Sequence, residues 1–94
     1  MSDTKEITKE KTKIDDNVGK PKVVILHNDD YNTFDHVIGC LMKICKMDKA
    51  TAEKHTLEVH FKGKSRVAEG DDDKLKKIKL KLQLEGLSVT IENE

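Results

Sequence analysis

Apolar residues first gather at Val23-Val24-Ile25-Leu26, a β-branched run that predicts a short strand from Val23 to His27, central in a sheet or buried on both faces. Asn28-Asp29-Asp30-Tyr31-Asn32 is dense in turn formers, so the chain must leave the strand there. From Thr33 the period changes. Phe34, Val37, Ile38, Leu41, Ile44 and Cys45 recur at three- and four-residue spacings, which predicts a helix with Thr33 as N-cap and Asp35 in the favourable first turn. Asp48 is the next cap. It opens a helix over Ala50 to Val59 with Ala52, His55, Thr56 and Val59 on one stripe, after a short turn around Lys46-Met47-Asp48. Phe61 to Ala68 sets Phe61 and Val67 among basic residues around Gly63 and Ser65, and a weak strand or hairpin arm is expected.

The segment from Asp71 to Leu84 supports two readings. Leu75, Ile78 and Leu82 fall on a helical stripe behind the acidic cap Asp71-Asp72-Asp73, whereas Ile78, Leu80, Leu82 and Leu84 also alternate as in a strand. The lack of β-branched residues after Ile78 favours helix, with Gly86 just past its end. Leu87-Ser88-Val89-Thr90-Ile91 alternates cleanly and predicts a last strand. The order β-α-α-β-α-β describes a small α+β sandwich, a three-stranded antiparallel sheet with helices packed on one face. Residues 1–20 carry five lysines, five acids and only Met1, Ile7, Ile14 and Val18 as large apolar side chains. Such a segment cannot offset its ordering entropy, so a flexible N-terminal extension is expected over 1–20, ahead of a domain spanning 21–94.

Composition narrows the function classes. With 94 residues, 35% hydrophobic and 38% charged, the chain supports one small core and no large catalytic cleft. Lys+Arg and Asp+Glu are balanced at 18 each, and Tyr31, Phe34 and Phe61 are the aromatics, which argues against nucleic acid and anionic membranes as partners. No spanning run or leader pattern is seen, so the expected location is the cytoplasm. Cys40 and Cys45, five apart on a helix, project differently and are expected to be reduced core fillers.

Four readings compete for the polar residues. An enzyme would draw on Asp29, Asp30 and His60, but Ser65 stands in no activating motif and the cysteines sit mid-helix, so no catalytic activity is expected. A metal site built from His27, Asp29 and Asp30 lacks the paired spacing of zinc or calcium motifs, and neither metal nor cofactor is expected. A turn bonded to its own backbone, with His60 a satisfied boundary histidine, is the strongest reading on spacing alone. His36 and His55 receive only this structural reading. The fourth is a cage for an α-ammonium, in which Asn28, Asp29 and neutral His60 supply acceptors while Asp30 is expected to shape the turn.

The stretch from Lys22 to Tyr31, with Asn28-Asp29-Asp30-Tyr31 closing an apolar strand, followed by Val37-Ile38 and then Val59-His60-Phe61-Lys62-Gly63-Lys64, resembles the ClpS adaptor family. The resemblance runs over residues 22 to 92, to Thr90-Ile91-Glu92. It implies a non-enzymatic adaptor that binds substrates bearing a large hydrophobic N-terminal residue (Leu, Phe, Tyr or Trp). These N-degron substrates would be delivered to a hexameric Clp AAA+ ATPase, ClpA-like or ClpC-like, by a monomer. The resemblance assigns Asn28, Asp29 and His60 to the amine and first peptide bond. Leu26, Asn32, Phe34, Val37, Thr56, Val59 and Leu87 would form the side-chain pocket. Phe34 stands where a methionine is usual, so the accepted first residues would be altered, and Thr56 stands where a larger apolar residue is usual, which would make that wall smaller and more polar. The alternative is a small protein-interaction domain resembling the C-terminal domain of the bacterial ribosomal stalk protein.

Overall fold

In a computed structural model, residues 21–94 are described, and the expected extension over 1–20 lies outside them. The elements run β1 (Lys22–His27), α1 (Phe34–Ile44), α2 (Lys49–Lys62), β2 (Lys64–Gly70), α3 (Asp72–Leu84) and β3 (Ser88–Asn93). The sheet order is β2-β1-β3, both pairings antiparallel, so the most apolar strand is the central one. Central placement follows from sequence: Val23 to Leu26 are all buried, and only the middle strand has cover on both edges.

One face of the sheet carries the helices. Val24 and Leu26 of β1, Val67 of β2 and Val89 of β3 meet Leu41 of α1, Ala52 and Val59 of α2, and Leu75 and Leu82 of α3 in one apolar cluster. Fully burying each of the Val and Leu side chains stabilises the fold by roughly 1.5–3 kcal/mol. The expected caps are present. Thr33 Oγ1 accepts from His36 N at 3.1 Å, Asp48 Oδ1 from Thr51 N at 2.8 Å and Asp71 Oδ1 from Lys74 N at 2.9 Å. Residues 72–84 are helical, the choice that β-branched depletion favoured.

Two boundaries differ from expectation. The arm expected to begin at Phe61 is not a strand there: α2 continues through His60, Phe61 and Lys62 and ends at Gly63. The stop is conformational, since Gly63 takes φ 92° and its N–H closes on the Val59 carbonyl at 2.9 Å. The last strand begins at Ser88 and runs to Asn93, leaving Leu87 as a buried link before it.

Candidate functional site

Where β1 ends, the next peptide is tied to the end of α2. The Asn28 N–H donates to the Gly63 carbonyl at 2.9 Å, which brings residues 28 and 60 together across more than thirty positions. His60 lies in the last turn of α2, where the helix dipole is negative. Its exposed ring meets Phe34 edge-on at 5.3 Å between centroids and Phe61 at 4.9 Å, so two aromatic rings fix its orientation.

Asp29 is held more firmly than its neighbours. Its Oδ1 accepts from Tyr31 N and Asn32 N, and its Oδ2 from Asn32 Nδ2, each at 2.9 Å. Burial works to raise this carboxyl's pKa, but the bonds from the Asn32 backbone and side chain and the Tyr31 backbone outweigh it and hold it below the ordinary value. Asn32 Nδ2 also donates to the Gly86 carbonyl at 3.0 Å, anchoring the turn to the loop after α3. The turn is therefore shaped by Asp29. Asp30, the residue the sequence suggested for that task, is exposed.

A small cavity of about 30 Å³ opens among these groups. Asn28, Asp29 and His60 line it, with Leu26, Asn32, Phe34, Val37, Thr56 and Val59. Leu87 is the expected lining residue that the fold places elsewhere: it is 4% exposed and packs in the core cluster. His27 lines the cavity unforeseen; its position directly before Asn28 was the available signal. Thr56 was expected to make its wall more polar, yet its hydroxyl donates to the Ala52 carbonyl at 2.8 Å, so that polarity is spent within α2. The cavity has room for about two waters, too little for a Leu or Phe side chain. Its most exposed apolar wall is Phe34, 43% exposed.

A larger depression of about 540 Å³ lies elsewhere, bordered by Glu58, Lys62, Arg66 and Glu94. These charges pair with one another, Arg66 with Glu94 at 3.0 Å and Lys62 with Glu58 at 3.9 Å, and none of the expected site residues reaches it. Size does not single out the site; the convergence of acceptors does.

Comparison with known proteins agrees with the fold. Residues 19–90 match the family profile described as "ATP-dependent Clp protease adaptor protein ClpS". A protein so named from Thermosynechococcus vestitus is 45% identical over 53 residues, 55% of each chain. One from Acetivibrio thermocellus is 42% identical over 60 residues (64% of this chain, 61% of the relative), and one from Synechocystis sp. 41% over 69 residues (72% and 69%). The chain thus spans 55% to 69% of the length of these curated relatives. Among solved structures, Agrobacterium tumefaciens ClpS2 bound to L-phenylalaninamide superposes with a TM-score of 0.75 at 27% identity, covering 81% of this chain and 99% of that one.

Proposed function

The chain belongs to the ClpS family of Clp protease adaptors, and from that premise we propose that its cavity receives the free N-terminus of a substrate whose first residue is Leu, Phe, Tyr or Trp. The α-ammonium sits against Asn28, Asp29 and His60, and the side chain enters between Leu26, Val37, Thr56 and Val59. What carries this reading is co-location: residues 26 to 37 and 56 to 60, distant in sequence, line one cavity. A relative of this fold solved with L-phenylalaninamide, an amino-acid amide with a free ammonium, supports it.

The chemistry suits a cation. A carboxylate offers about four lone-pair sites, and the turn occupies three of those on Asp29. One site on Oδ2 remains, already oriented. Charge-assisted bonds contribute roughly 1.5–3 kcal/mol each and a buried Leu- or Phe-sized side chain a similar amount, against several kcal/mol of association cost. The surplus left after that cost is modest, which lets an adaptor release its cargo. Phe34 must swing from its edge contact with His60 to admit the side chain, and a ring adapts less readily there than a thioether. The bound substrate is handed to a ClpA-like or ClpC-like AAA+ hexamer by the monomeric adaptor, residues 1–20 serving delivery.

Calorimetry with a Leu- or Phe-initiated peptide and its acetylated twin tests the reading. Acetylation removes the charge and two donors, leaving the open lone pair of Asp29 and the His60 ring without a donor from the ligand, so affinity should fall at least about tenfold. Equal affinities would overturn the ammonium cage.

A further inference from the structure

Next to the peptide cavity, but sharing no lining residue with it, a second cluster converges. His36 and Cys40 stand one turn apart on α1, and the loop after α3 brings Glu85 to them. The Cys40 Sγ lies 3.6 Å from His36 Nε2, and the ligand atoms of all three residues lie within 4.8 Å of one another. We propose that His36, Cys40 and Glu85 bind a single divalent ion of the zinc class, tying α1 to the α3–β3 link.

The spacing is that of ligands around an ion. With zinc–sulfur near 2.3 Å and zinc–nitrogen near 2.0–2.1 Å, tetrahedral geometry separates sulfur from nitrogen by roughly 3.5 Å. Residues four apart on a helix share a face, so α1 supplies two ligands without distortion. Thiolate, carboxylate and neutral imidazole together balance a double positive charge, and the thiol proton leaves to solvent on binding. The sulfur ligand disfavours magnesium and calcium, which take oxygen donors. Access is open: a cavity of about 270 Å³ adjoins the cluster, and a Cβ built on Gly39 at its edge would meet nothing within 4 Å. Asp35 and Lys43 also border it, and their charges offset each other. His36 Nε2 now lies 2.8 Å from the Glu85 carbonyl oxygen, to which it donates. Metal binding moves that proton to Nδ1, freeing the Nε2 lone pair.

Sequence reasoning missed this site because His36 and Cys40 were read as a boundary histidine and a core filler. Glu85 is 45 positions further on, and only the fold delivers it.

Titrating the reduced full chain with Co2+ as a spectroscopic probe, then displacing it with Zn2+, tests the proposal. One Co2+ per chain should bind with a thiolate-to-cobalt charge-transfer band. His36→Asn and Glu85→Gln, both outside the buried core, should weaken binding at least about tenfold, as loss of even an outer-shell partner does. Cys40→Ala should abolish the band and Cys45→Ala preserve it. If Cys40→Ala does not fold, the two other ligand variants decide. Absence of the band in the wild-type chain, or its survival in both His36→Asn and Glu85→Gln, would overturn the site.

Discussion

Asp29 and Cys45 show how a single side chain sets local properties through its surroundings. Three donors converge on the Asp29 carboxylate. Asp29→Ala should therefore cost about 1–2 kcal/mol of stability by urea unfolding, as loss of a capping carboxylate does, together with peptide affinity. Its carboxyl is held below 3.8 in the folded chain, so this contribution is complete above that pH and is lost as pH falls through the lower folded value. Cys45 has the opposite sign. Burial, with a smaller contribution from Cys40, pushes its thiol from 9.0 up to about 11. Folding thus favours the neutral thiol, and stability present below pH 9.0 should decline as pH rises toward about 11. Thermal unfolding should show a steeper decline over this window in the wild type than in Cys45→Ala; parallel curves would contradict the burial argument.

At the scale of elements, the end of α2 matters most, because it places His60 and receives the Asn28 N–H on the Gly63 carbonyl. A Cβ on Gly63 would meet nothing within 4 Å, so substitution there tests backbone conformation alone. Gly63→Ala should cost about 1 kcal/mol for the left-handed φ and weaken peptide binding through the displaced His60. Chemical denaturation and calorimetry on the same variant check both effects. Much of this was legible beforehand. Thr33, Asp48 and Asp71 marked the helix starts because an N-cap is a local hydrogen bond, written within three residues. The end of α2 was misplaced by several residues, because Phe61 and Lys62 suit strand or helix and only the glycine's φ stops the helix. In α3 the alternation of Ile78, Leu80, Leu82 and Leu84 was ambiguous; burial resolves it, with Leu75 and Leu82 fully inside while Leu80 and Leu84 are 57% and 76% exposed.

For the whole molecule, the residues proposed to grip a substrate all lie between Leu26 and His60, within the described domain. Deleting residues 1–17 should leave peptide affinity unchanged while slowing degradation of an N-degron reporter by the Clp protease; loss of affinity would place that segment at the cavity. No helix among the described residues is long and apolar enough to cross a membrane. The amino-acid sequence by itself determined the element order, the central apolar strand, the caps and the two halves of the proposed amine cage. These are matters of periodicity, short-range hydrogen bonding and motif. Tertiary structure alone decided that Asp29 rather than Asp30 builds the turn, that Leu87 goes to the core, and that Glu85 reaches His36 and Cys40. Each of those outcomes depends on which side chains meet across sheet and helices, and such meetings are fixed by packing the common core rather than by any spacing along the chain.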